Sequence, residues 1–251
     1  MDNDFHYQFT PPDASLVDFV DGFWLLQNRT DDGKDVVILP DGRIDLFFSQ
    51  SPTEPFHITL SGLETQPDRA ILAAKTTMFA VSFKLLATEY IFHNTVSDLL
   101  NHAAHLPADF WDFHVADLDD FDCFCKKASR KIQSLLPNEI DPRKKSLFDL
   151  IYSSNGALAV HELSEKVGWS SRQMNRYFTQ QFGVSLKAYC NILRFRASFH
   201  GIKEGKLFPD QNFADQSHFI KEVKKLSGVS PKVLKRNQND RFIQFSLLDP
   251  D

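Results

Sequence analysis

The sequence predicts an α+β protein. A mainly antiparallel-β N-terminal domain with trailing helices precedes an all-α C-terminal domain of two helix-turn-helix units joined by a linker helix. Three observations predict this. The first ninety residues read mainly as short apolar strands between turn signals. From Glu89 the apolar spacing becomes three and four residues, the period of a helix. In the second half, one stretch of sequence recurs at a constant offset of 45 residues, Gly183-Val-Ser-Leu-Lys187 returning as Gly228-Val-Ser-Pro-Lys232.

Along the chain, Val36-Val-Ile-Leu39 runs into the turn signal Pro40-Asp-Gly42, and Ile44-Asp-Leu-Phe-Phe48 resumes, so the three together read as a hairpin. Ile71-Leu-Ala-Ala74 and Met78-Phe-Ala-Val-Ser-Phe83 read as further strands. Phe121, Phe124, Ala128, Ile132 and Leu135 form one apolar helix face, with Asp117, Asp119 and Asp120 at its start. Lys126, Lys127, Arg130 and Lys131 come later, as the helix dipole favours, and read as a solvated face. The seam is Leu136-Pro-Asn-Glu-Ile-Asp-Pro-Arg-Lys-Lys145, which divides the chain into 1–138 and 139–251. Beyond it, Leu147, Phe148 and Ile151 mark a helix ending near Asn155-Gly156. Val160, Leu163 and Val167 mark a second, closed by Gly168. Ser170-Ser-Arg-Gln173 has the form of a capping box opening a third, whose buried stripe is Met174, Phe178 and Phe182 with Tyr177 beside it.

The chain has 251 residues, of which 42% are hydrophobic and 24 are Phe, enough for a real core. At roughly 100–200 residues per domain, one large or two small domains are expected. No stretch approaches the roughly 18 uncharged apolar residues of a membrane span. The start, Met1-Asp-Asn-Asp-Phe5, is acidic where a signal peptide would be basic and then apolar. Three cysteines form no disulfide framework. These features predict a cytoplasmic protein. The net charge of −5 argues against a nucleic-acid partner only while it is taken whole. Residues 1–140 hold 22 acidic and 10 basic side chains, and residues 141–251 hold 11 and 18, so the halves carry −12 and +7. The second half is expected to have an anionic partner.

The repeat extends into the preceding helices, where Met174 aligns with Phe219, Phe178 with Val223 and Arg176 with Lys221. A duplicated short helix, tight turn and amphipathic helix is the layout of paired helix-turn-helix units. The units read as 158–183 and a shortened 205–228, with the linker helix at 186–203. A linker of that length is about 25 Å long and could hold two reading heads roughly one DNA turn, about 34 Å, apart. Arg172, Asn175, Arg176 and Thr179 fall opposite the buried stripe, with Gln173 beside them. Arg reads guanine edges, and Asn or Gln reads adenine edges, through paired hydrogen bonds. A polar helix face met alone is more often plain solvated surface. Here the duplication and the local charge favour base reading.

The C-terminal 110 residues resemble the AraC/XylS family of bacterial transcription regulators. The matching runs are Glu162-Leu-Ser164, Val167-Gly-Trp-Ser-Ser-Arg-Gln173, Arg176-Tyr-Phe178, Phe182-Gly-Val-Ser185, Leu193-Arg-Phe-Arg196, Phe213-Ala-Asp-Gln-Ser-His-Phe219 and Gly228-Val-Ser-Pro231. The N-terminal 135 residues resemble the sensor domain of one branch of that family through Val20-Asp-Gly-Phe-Trp24, Leu39-Pro-Asp-Gly42 and Val81-Ser-Phe83. The resemblance implies base contacts by Arg172, Gln173, Asn175 and Arg176 in the first unit, and by Gln216, Ser217, Ile220 and Lys221 in the second. It also implies a sensor or dimerisation role for the first domain.

The second unit departs from that pattern. Its positioning helix would occupy residues 201–211, where two glycines and Pro209 make a regular helix improbable. Asn212 stands where a turn glycine is usual. The first unit is therefore expected to dominate base reading, with Lys221, Lys224 and Lys225 of the second contacting phosphates.

Other constellations point to no chemistry. His102 and His105 read as helical neighbours, with His93 and His114 not far in sequence, yet no ligand spacing accompanies them, and no metal is expected. Cys123 and Cys125 cannot share a helical face, and Cys190 reads as a small core residue. No phosphate loop, nucleophile elbow or kinase signature is present, so no enzyme and no cofactor are expected. Asp41, Arg43 and Asp45 are the nearest polar groups to the aromatic-rich first half, but no residue is singled out as a ligand contact. The expected partners are double-stranded promoter DNA, RNA polymerase, a small-molecule or protein effector and a second copy in a homodimer, with no membrane. The competing reading is a protein-interaction module derived from such a regulator, with weakened or lost specific DNA binding.

Overall fold

The computed structural model describes residues 5–206, 213, 215–238 and 241–246. They form an α+β fold in two compact units. The first gathers residues up to Asp35 with Arg43–Leu63 and Ile71–Glu139; the second gathers Val36–Gly42, Glu64–Ala70 and the chain from Ile140.

The strands in chain order are β1 (Phe5–Thr10), β2 (Val20–Asn28), β3 (Lys34–Ile38), β4 (Ile44–Gln50), β5 (His57–Ser61), β6 (Asp68–Leu72), β7 (Thr77–Phe83) and β8 (Ala103–Leu106). Six of them make one antiparallel sheet in the first unit, ordered β1-β2-β7-β4-β5-β8. In its register Phe79 lies opposite both Leu25 and Phe48, which places these side chains on one face. The first unit's helices are α1 (Leu86–Tyr90) and α2 (Phe121–Leu135). Helix α2 covers that face, with the Phe121 and Phe124 rings 5.2 and 5.3 Å from Phe79 and Phe124 5.1 Å from Phe48. Asp120 caps α2 by accepting from the Cys123 N–H at 2.8 Å, and Ala128 and Ile132 continue its buried stripe. On the opposite face, Trp24 and Phe47 meet edge to face at 5.7 Å. The Trp24 indole N–H donates to the Ser82 hydroxyl at 3.0 Å, and that hydroxyl donates to the Asp45 carboxylate.

Two local expectations are corrected. The Pro40-Asp-Gly42 turn does not join a hairpin: β3 pairs with β6 in a separate two-stranded ribbon, whereas β4 pairs with β5 and β7. Turn chemistry reports that the chain reverses, not which strands pair. The region from Glu89 is also not continuously helical. Helix α1 is short, and β8 follows as an edge strand paired to β5, so His105 lies on a strand and faces Thr59. The side chains of β8 alternate between exposed and half-buried, a pattern too weak to mark a strand in the sequence.

The second unit holds α3 (Pro142–Ser153), α4 (Val160–Val167), α5 (Ser171–Phe182), α6 (Leu186–Ala197), α7 (Phe199–Glu204), α8 (Gln216–Ser227), α9 (Pro231–Arg236) and α10 (Ile243–Ser246). An aromatic cluster sets its first half: Phe148 of α3 lies 5.6 and 6.1 Å from Phe178 and Phe182 of α5, and Phe178 lies 5.7 Å from Tyr189 of α6. The second half packs around Phe195, Phe199, Phe219, Val223, Leu226 and Phe245.

The linker is interrupted once. The Ser198 hydroxyl donates back to the Phe195 carbonyl at 2.6 Å, the local competition that weakens helices at serine, and the helix resumes as α7. The expectation that residues 201–211 hold no regular helix is corrected at its start, because Gly201 lies within α7, which ends at Gly205. The part of that expectation resting on Pro209 and Asn212 lies outside the described residues. Among the described residues, no helix is long and apolar enough to cross a membrane.

Candidate nucleic-acid interface

The first helical pair is built by local signals. The Glu162 carboxylate accepts from the Ala159 N–H at 2.7 Å at the start of α4, and Gly168 ends that helix in the left-handed conformation. Ser170 then opens α5, its hydroxyl accepting from the Gln173 N–H while Gln173 Oε1 accepts from the Ser170 N–H at 3.2 Å. Met174, Tyr177, Phe178 and Phe182 are buried. Arg172, Gln173, Arg176 and Thr179 are exposed on the same helix.

The repeat is a structural one. Helix α8 starts and ends 45 residues after α5, and α9 begins 45 residues after α6. The caps repeat with them: Asp215 stands where Ser170 does and accepts from the His218 N–H at 2.8 Å, and left-handed Gly228 stands where Gly183 does. In α8, Phe219, Val223 and Leu226 face inward, and Ser217, Ile220, Lys221, Lys224 and Lys225 are exposed, with Gln216 half-buried.

One residue of the expected reading face is engaged by the fold itself. Asn175 is half-buried; its Nδ2 donates to the Ser171 carbonyl at 3.0 Å, and its Oδ1 accepts from the Leu186 N–H at 3.2 Å. It thereby satisfies one of the orphan donors at the start of α6. Two cations flank α5 from α3, Arg143 lying 5.5 Å over the Trp169 ring and Lys144 5.0 Å over the Tyr177 ring. On α8, the Glu222 carboxylate accepts from Asn191 of α6 at 3.3 Å, and Asn191 also bonds Arg194.

Sequence reasoning missed the residues that complete the second unit from the first half of the chain. Leu39 is buried in the same core as Phe219, Val223 and Leu226. The Tyr189 hydroxyl donates to the Gly42 carbonyl at 3.0 Å and shares a hydrogen bond with the Tyr152 hydroxyl. Gly42 has φ +80°, and a Cβ there would lie 2.8 Å from Leu193 Cδ2, so glycine serves both the turn and the approach to α6. Pro40-Asp-Gly42 signalled the turn, but nothing local signalled the contact.

The thiols are chemically quiet where they are buried. Burial pushes Cys125 up to about 12 and Cys190 up to about 11. Among the described residues, no three His, Cys, Asp or Glu side chains gather as a metal site.

No curated protein matches the chain. Among solved structures it is similar to ToxT from Vibrio cholerae, at 12% identity over 98% of this chain and 100% of that one, with a TM-score of 0.43. ToxT from Vibrio cholerae O395 bound to (E)-4-(8-methylnaphthalen-1-yl)but-3-enoic acid is 13% identical over 98% and 100% of the two chains, with a TM-score of 0.43. Wild-type ToxT from Vibrio cholerae strain SCE256 bound to an unsaturated fatty acid is 13% identical over 92% of this chain and 95% of that one, with a TM-score of 0.39. Residues 8–105 match the family described as Domain of unknown function (DUF6597).

Proposed function

We propose that the chain is a sequence-specific DNA-binding transcription regulator, resembling the AraC/XylS type, and not an enzyme. The observation that carries this reading is the repeated amphipathic helix: α5 and α8, with matching caps and 45 residues apart, each present an exposed polar or basic face. Arg172, Gln173 and Arg176 are the base-reading side chains of the first unit. Asn175 supports them from within α5 by holding the start of α6. In the second unit, Gln216, Ser217, Ile220 and Lys221 lie on the DNA side, and Lys221, Lys224 and Lys225 contribute phosphate contacts. An effector or protein partner acts on the acidic N-terminal domain by shifting the population of DNA-competent conformations. RNA polymerase and a second copy of the chain are the further partners of such a regulator.

The interaction-module reading draws on one feature of the second unit. Ile220 and Val233 are exposed apolar residues there, 36% and 41% accessible, and an isoleucine on a reading face has no hydrogen bond to offer a base edge. Selection of duplexes from a random-sequence pool by the full chain separates the two readings. The regulator enriches a motif in the segment read by the first helix-turn-helix unit and protects a second segment about one helical turn away, and its affinity falls linearly in log–log form with salt. Absence of both enrichment and a salt slope would favour the interaction module.

A further inference from the structure

Helix α8 is held by the burial of Phe219, Val223 and Leu226, in a core that the chain from Ile140 onward does not complete by itself. Leu39, 1% exposed, belongs to that core together with Phe195, Phe199 and Phe245. The segment carrying it is fastened at successive points. The Val37 N–H donates to the Arg241 carbonyl at 2.6 Å, and Val37 bridges to Phe242 in parallel. The Leu39 N–H donates to Gln244 Oε1 at 2.8 Å, and the Gly42 carbonyl receives the Tyr189 hydroxyl. Within seven residues, both the backbone and one leucine side chain are thus committed to the second unit. A solvated loop has no reason to be held in this way.

Resting on the DNA-binding reading above, we propose that Leu39 is a positioning residue for recognition by the second helix pair: residues Val36–Gly42 act as a strap that sets the frame of α8 on the DNA. The short α7 carries Phe199 and Ile202 into the same core, where Leu39 is buried with them. The first pair rests on the aromatic cluster around Phe148, Phe178 and Phe182, which the strap meets through the Gly42–Tyr189 hydrogen bond, whereas the Leu39 side chain is buried with Phe219, Val223 and Leu226. Loss of the Leu39 side chain therefore loosens α8 while leaving α5 in place.

The test uses the full chain as Leu39→Ala and Leu39→Met, read by amide hydrogen exchange and by footprinting on the selected duplex. Leu39→Ala leaves a cavity, and exchange at residues 223–226 is expected to rise about tenfold or more, with α5 amides unchanged. The footprint keeps one DNA segment and loses the other. Leu39→Met conserves volume and restores both segments, a rescue that a general loss of folding would not show in one segment alone. Unchanged exchange in α8, an equal rise in α5 and α8, or an unaltered footprint in Leu39→Ala would each overturn the proposal. If the wild-type chain enriches no duplex, the DNA-binding reading fails, and the exchange pattern still decides whether Leu39 positions α8.

Discussion

The backbone N–H of Leu39 donates to Oε1 of Gln244 at 2.8 Å, joining residues 205 apart in the chain. The donor belongs to a residue buried in the second unit's core, so its hydrogen bond has little access to water as a substitute. Gln244→Leu removes the acceptor and is expected to lower unfolding free energy by about 1–3 kcal/mol, the penalty of an unsatisfied buried donor. Gln244→Glu keeps an acceptor oxygen and is expected to retain most of that stability. Urea titration of the three proteins checks the order.

Asn175 and Arg176 are neighbours with separate duties. Asn175→Ala breaks both the bond to Ser171 and the bond to Leu186 and is expected to cost about 1–2 kcal/mol of stability. Arg176 is exposed, so Arg176→Ala is expected to leave the melting temperature within about a degree of wild type, as surface changes usually do. Thermal melts of the two variants side by side make the comparison.

The Glu64 carboxyl is pushed up to about 7 from an ordinary 4.5 by burial first, then by the neighbouring charges of Asp68 and Asp41. Between these values the native state holds a proton that the unfolded chain has released. The resulting stability is greatest at the acid end and is lost as pH rises through 7. Glu64→Gln is therefore expected to raise the melting temperature more at pH 8 than at pH 5.5. An equal effect at both pH values would assign Glu64 an uncharged role.

Cysteine chemistry follows burial. Cys123 is exposed, whereas Cys125 and Cys190 are buried with thiols held well above neutrality. Iodoacetamide at pH 8 is expected to label Cys123 quickly and the other two only under denaturant, as read by intact mass.

The parts legible in the sequence are those whose signals lie within one or two turns of chain. Gly168, Ser170, Gln173, Gly183 and the Met174/Phe178/Phe182 stripe all fall within sixteen residues, and they marked α4, α5 and the turn between them. Their repetition 45 residues later marked α8. Strand β2 was illegible as a strand because both of its faces are covered, so apolar and polar residues do not alternate; Leu25 and Leu26, on opposite faces, are both buried. The false hairpin at Pro40-Asp-Gly42 has the same cause as the missed role of Leu39. A turn residue and a leucine look alike whether their partners are four residues away or two hundred. Helical spacing placed Asn175 on the outer face, but the chain folds back after Gly183 and brings the Leu186 N–H to its amide oxygen.

In the proposed regulator the first helix-turn-helix unit reads base edges through Arg176 while the second contributes mainly charge. Affinity of the full chain for the selected duplex, measured across a salt series for wild type, Arg176→Ala and Lys221→Gln, tests it most directly. Arg176→Ala is expected to lose about 1–3 kcal/mol on the selected duplex and much less on random DNA. Lys221→Gln is expected to weaken both duplexes alike and to reduce the salt slope by about one. Unchanged affinity in Arg176→Ala, with specific binding abolished in Lys221→Gln, would instead place base reading in the second unit.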